Sequence, residues 1–211
     1  MIGLYAVTLS PGAGLSGARG EPLREIRCGE LALLTGDPPP PLSAEALQAY
    51  DAAVRQIAQS CEACLPARFG AAAEDEAALL RSVEPRAAGL LEALQLVRGR
   101  EQMTLRIHGP GRPAPLTKAD GPGTRYLEER RRARALPELD PLRSALEGLV
   151  RAERLERHTE PGLLASVYHL IDRGAAARYR ALVERVSLEG LRVALSGPWP
   201  AWSFAPEVVT P

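Results

Sequence analysis

Cys61 and Cys64 form the most obvious reactive spacing in the chain, a CxxC pair. Such a pair does redox chemistry when its first thiol opens a helix, where the dipole lowers the thiol pKa. Here the residues before Cys61 carry a helical pattern, so the pair follows a helix and a structural reading is favoured. A zinc site needs about four ligands. Only Cys28 remains as a further cysteine, and His108, His158 and His169 are scattered along the chain, so no metal site is expected. His169 lies in an apolar, strand-like run and reads as a satisfied buried group or an edge residue. No motif sets a serine or cysteine nucleophile beside it. Neither the GxxxxGK[ST] pattern nor a strand-GxGxxG-helix is present, so no phosphate cradle is expected. The chain is read as a non-enzyme, without catalytic residues or cofactor.

Two arginine features remain. Glu128 stands four residues before Arg132 and three before Arg131, pairings that stabilise an exposed helix by a few tenths of a kcal/mol each. The run from Glu128 to Arg134 therefore reads as a solvated helix face rather than an anion site. Arg68 sits between Ala67 and Phe69, and strand alternation points it away from both. Its favoured reading is a clamp on a carboxylate at a domain junction, with a partner contact as the second reading.

The elements that position these residues follow from periodicity. Residues 2 to 9 form a strand, and Leu23 to Cys28 with Leu31 to Thr35 read as two short strands or a hairpin. Pro38 to Pro41 act as a spacer. Ser43 caps a helix with the stripe Leu47, Tyr50, Val54 and Ile57, and Leu42 with Leu47 suit a hydrophobic staple. Leu65 to Phe69 is a short strand. Asp75 to Arg98 is helical, broken near Pro85. Gln102 to His108 is a strand, and a Pro/Gly-rich loop follows to Gly123. From Thr124 the pattern is helical to about Arg157, interrupted near Pro137. Leu163 to Ile171 is a central strand. Asp172 is placed to cap a helix ending at Gly190, and Leu191 to Leu195 is a half-buried strand.

The architecture expected is α+β with two small domains, residues 1–98 and 99–211, the second a modified ferredoxin-like fold carrying an aromatic, proline-rich tail. Lysines plus arginines equal aspartates plus glutamates, 26 each, which argues against a nucleic-acid partner. No apolar run reaches the ~20 residues that span a bilayer, no signal peptide is apparent, and three cysteines make no disulfide framework. No membrane association is expected, and the location expected is cytoplasmic.

Only 4% of the residues are aromatic, yet Trp199, Trp202 and Phe204 fall together in Gly197-Pro198-Trp199-Pro200-Ala201-Trp202-Ser203-Phe204. The prolines stiffen this ribbon. It is expected to be structural first and a contact surface second, with at least one tryptophan packed on the second domain. The segment closely resembles the carboxy-terminal signature of the gas vesicle protein F/L family. Leu65-Pro66-Ala67-Arg68-Phe69-Gly70, Gly121-Pro122-Gly123-Thr124-Arg125-Tyr126-Leu127 and Leu170-Ile171-Asp172-Arg173 match in the same order. The resemblance implies two α+β domains and a non-catalytic accessory role in nucleating or assembling the gas vesicle wall. It implies the small hydrophobic shell protein and other accessory proteins as partners, and the gas vesicle as location. Trp199, Trp202, Phe204 and Arg68 are the candidate contact residues. The alternative is a small-molecule-sensing ferredoxin-like module, which would need convergent polar groups that the sequence does not display.

Overall fold

The computed structural model describes residues 1–110, 136–159 and 161–208. The Gly121 to Leu127 motif and the run from Glu128 to Arg134 lie outside them. The chain forms two units. The first comprises Met1–Glu101 and the residues from Trp199 on, and the second is Gln102–Pro198.

In the first unit, β1 (Ile2–Thr8) is apolar up to Val7 and is buried from Gly3 to Thr8. An apolar run of this kind suits a strand covered on both faces. It pairs antiparallel with β3 (Leu31–Gly36) on one side. On the other side lie β4 (Cys64–Pro66) and the two-residue β5 (Ala72–Ala73). β2 (Arg24–Cys28) forms a hairpin with β3, turned by Gly29 at φ +58°. The sheet order is β2-β3-β1-β4.

Helix α1 (Ala44–Ser60) begins as its sequence dictates, because the Ser43 hydroxyl accepts a hydrogen bond from the Ala46 N–H at 3.1 Å. Tyr50, Val54 and Ile57 are buried as the stripe requires, but Leu42 and Leu47 are 73% and 44% exposed, so no staple anchors the helix start. α2 (Glu76–Val83) and α3 (Ala87–Val97) are separated by a 3₁₀ turn over Glu84–Arg86. Pro85 lacks the N–H and crowds the preceding turn, which forces that break.

The second unit runs β6 (Arg100–His108), α4 (Asp140–Leu146), β7 (Val150–Arg157), β8 (Leu163–Asp172), α5 (Ala176–Val183) and β9 (Arg192–Trp199) among the described residues. The strands are ordered β7-β8-β6-β9. This βαββαβ succession is that of a ferredoxin-like unit. Met103, Leu105, Ile107, Ala165, Val167 and Ile171 alternate onto one face of the sheet. There they meet Leu139, Leu142, Leu146, Tyr179 and Val183 from the helical segments.

Three further expectations are corrected. Residues 150–157 form a strand rather than the end of a helix, paired with β8 from Val150↔Ile171 to Arg157↔Ala165. Gly148 at φ +82° makes the turn into it. The misreading has a physical source, since Arg, Glu, Ala and Leu all have high helix propensity and only the non-local pairing overrides it. Asp172 does not cap α5. It accepts from Arg151 Nη2 at 2.6 Å, and the helix has no side-chain cap and ends at Val183, well before Gly190. The tail, expected on the second unit, belongs to the first from Trp199 on.

Candidate functional site

The tail and α1 assemble an aromatic cluster in the first unit. Tyr50 is its hub. Its ring stacks on Tyr5 at 5.0 Å between centroids, meets Phe69 edge-on at 5.4 Å, and lies 6.5 Å from the Trp202 ring. Offset and edge-to-face arrangements of this kind are favourable beyond the area they bury. The Tyr50 hydroxyl donates among the carbonyls of Leu4 and Ala67, each 3.0 Å away, so it ties α1 to β1 and to the segment after β4. The Tyr5 hydroxyl accepts from the Ala18 N–H at 2.9 Å and donates to Glu21 Oε1 at 2.8 Å. Burial pushes the Tyr5 hydroxyl up to about 12 and raises Tyr50 as well, so both are neutral at any physiological pH.

Trp202 opens a 3₁₀ turn (Trp202–Phe204) and is half-buried against the cluster that contains Tyr5, Leu34, Tyr50, Val54 and Ile57. Phe204, at the end of that turn, is 1% exposed. It is a core residue and not a contact residue, because the turn directs it inward. Trp199 is half-buried at the end of β9, with the Arg55 guanidinium 4.1 Å above its ring. Arg55 also pairs with Asp51 at 2.6 Å, one helical turn away.

Arg68 does clamp a carboxylate, that of Glu207 at 2.5 Å, within the first unit. Both side chains are more than half exposed, so the pair contributes about 0–1 kcal/mol at most. Arg68 and Glu207 flank a small cleft of about 20 Å³ lined also by Pro66, Ala71, Trp202 and Val208. That is space for about one water molecule, far below the ~300 Å³ of a ligand pocket.

Of the contact candidates read from the sequence, Trp199, Trp202 and Arg68 lie in this unit beside Tyr5, Tyr50, Phe69 and Arg55, which were not among those candidates. Tyr50 and Phe69 carried a signal. One was the aromatic on the α1 stripe, and the other followed Arg68 in the matched motif.

Cys61 and Cys64 are buried free thiols, Cys61 at the end of α1 and Cys64 at the start of β4. Among the described residues no group of three or more His, Cys, Asp or Glu is placed to hold a metal ion. No described helix is long and apolar enough to cross a membrane.

His169 is the one buried imidazole with a full set of partners among the described residues. Its Nδ1 lies 2.7 Å from the Tyr179 hydroxyl and its Nε2 2.9 Å from Glu153 Oε2. Glu153 also accepts from Arg143 Nη2 at 3.0 Å. With both ring nitrogens engaged, His169 fastens β8 to β7 and α5. The hydrogen bond from His169 is the main cause that holds Glu153 down at about 2, against burial and with help from Arg143. A carboxylate depressed in the folded state contributes stability that is present above its unfolded value of about 4.5 and is lost as pH falls towards 2. Glu153→Gln is expected to flatten the loss of stability across that window, measured by urea unfolding at several pH values. An unchanged acid slope would refute the role given to this carboxylate.

The comparisons with known proteins agree along nearly the full length. The family model described as gas vesicle synthesis protein GvpL/GvpF matches residues 2–206. Gas vesicle protein L of Streptomyces sp. (strain CB03234) is 28% identical over 232 residues, covering 91% of this chain and 86% of that protein. The crystal structure of gas vesicle protein GvpF from Anabaena sp. PCC7120 superposes with a TM-score of 0.72 at 16% identity, over 97% of this chain and 95% of the other. GvpF from Microcystis aeruginosa gives 0.72 at 14% identity, over 97% and 98%. At those identities the two structures speak for the fold.

Proposed function

This chain belongs to the gas vesicle synthesis protein GvpL/GvpF family, and on that premise we propose that it assists nucleation or assembly of the gas vesicle wall by contact with the small hydrophobic shell protein. The observation that carries the reading is the pair of partly exposed tryptophans, Trp202 on the cluster rigidified by Tyr50 and Trp199 beneath the Arg55 guanidinium. A strongly apolar protein needs its surface shielded before it polymerises, and rigid aromatics offer contact area at low entropic cost. Arg55, Arg68 and Glu207 supply a polar rim that keeps the face soluble when unoccupied. The role is non-catalytic. The protein works with other gas vesicle accessory proteins, in the cytoplasm and at the vesicle, with no nucleic acid or membrane as partner.

Co-expression with the shell protein followed by affinity capture of this chain tests the reading. The shell protein should be recovered, and Trp202→Ala should keep the fold while lowering recovery about tenfold or more, as loss of a central aromatic anchor does. Absence of the shell protein from both soluble and vesicle fractions, or undiminished capture by the variant, overturns it.

A further inference from the structure

The first two turns of α1 carry an apolar surface that the fold leaves open. Apart from Met1, Leu42 and Leu47 are the large apolar side chains that stay exposed among the described residues. Pro41 and Ala44 beside them are exposed as well, and Ala46 and Ala49 are half-buried. Glu45 is the single charge from Pro38 to Tyr50. One exposed leucine needs no explanation, but a contiguous apolar patch marks a place where another molecule binds.

This patch is continuous with the aromatic face. Residues three and four apart are neighbours on a helix surface, so Leu47 lies beside both Tyr50 and Asp51. Tyr50 is the hub against which Trp202 lies. Asp51 is followed one turn later by Arg55, whose guanidinium covers the Trp199 ring. Leu47, Asp51 and Arg55 thus form one row, about 12 Å long at the rise of a helix. Asp51 and Arg55 pair at 2.6 Å and neutralise each other. A partner can cover this row without burying a lone charge.

We propose that the contact surface runs from Trp199 and Trp202 along α1 to Leu47 and Leu42, and that one apolar segment of the shell protein covers its whole length. This rests on the reading under Proposed function and names the part of the partner that the surface takes. The segment spans about 12 Å or more, roughly eight helical or four extended residues. Its apolar side chains sit at both ends, and over the satisfied ion pair between them it needs no charge of its own. Two anchor points on one rigid helix hold a continuous segment together, each keeping the rest of it close to the other. The leucines therefore add to what the tryptophans capture instead of forming a separate site.

The test captures co-expressed shell protein on the full-length chain carrying Leu42→Ser and Leu47→Gln together. Both side chains are exposed, so the thermal unfolding midpoint should stay at the wild-type value. Recovery of the shell protein should fall about tenfold or more, as loss of an apolar anchor does. Gln56→Ala, exposed on the other flank of α1, should leave recovery unchanged. Wild-type capture that the leucine variant matches overturns this extension and leaves the aromatic contact standing, as does an equal drop for Gln56→Ala. A wild-type chain that recovers no shell protein overturns both. Sedimentation equilibrium of the chain alone, over roughly 1–100 µM, should show a monomer with or without the leucines. A dimer that the leucine changes abolish would mean that a second copy covers this patch, and would overturn the proposal.

Discussion

Replacing Phe204 by alanine is expected to destabilise the protein by about 3–5 kcal/mol, the usual cost of emptying a fully buried phenylalanine site. The ring is 1% exposed. Its position is fixed by backbone hydrogen bonds from the Phe204 and Ala205 N–H groups to the Ala201 carbonyl, at 3.0 and 3.1 Å. That closed turn cannot collapse into the void. By contrast Trp202 is only partly buried, so its truncation should cost less stability while costing more partner capture. The two variants separate what the tail does for the fold from what it offers outward. Chemical denaturation of both decides the matter. A loss under about 1 kcal/mol for Phe204→Ala would mean that the tail is an ornament on a unit complete without it.

Leu146→Asp should be the most damaging single change in the second unit. Leu146 is 1% exposed on α4, within the cluster formed with Leu105, Val167 and Tyr179. The substitution removes the leucine's packing and puts an unpaired carboxylate in its place, with a cost on the order of 5 kcal/mol. That is comparable to the whole stability of many domains, so the second unit should lose its near-UV circular dichroism and its protection from protease. Glu147→Ala, on an exposed neighbour, controls for position. Cooperative unfolding of the aspartate variant near the wild-type midpoint would contradict the burial of this face.

What was legible in the sequence was local. Ser43 announced the start of α1, Pro85 its broken successor, and the apolar run from Leu163 announced a central strand, because each is decided within a few residues. β7 was not legible. Val150 to Arg157 contains residues that favour a helix on intrinsic grounds, and only its pairing with β8 makes it a strand. The tail failed for the same reason in another form. Trp199 and Trp202 follow β9 without interruption, so contiguity assigned them to the second unit. Their packing is set by Tyr50 and Arg55 on α1, more than a hundred residues earlier. Arg68 was half legible: a carboxylate partner was expected and is present, but the strand meant to set its direction ends at Pro66, and nothing local could name Glu207.

The first unit is written in two pieces, with the second unit, residues 102–198, between them. The order of synthesis therefore differs from the order of completion. As a chain leaves the ribosome at roughly 5–20 residues per second, Tyr50 and Phe69 emerge long before Phe204 and Trp202. About 5–20 s of elongation separates Glu101 from Trp199 at that rate. By the end of that interval the second unit, contiguous in sequence, has all its strands, while the first has its sheet but an unfilled site where Phe204 belongs. The nascent first unit is thus open on the surface that the tail later closes, and it is finished only once the tail has been made.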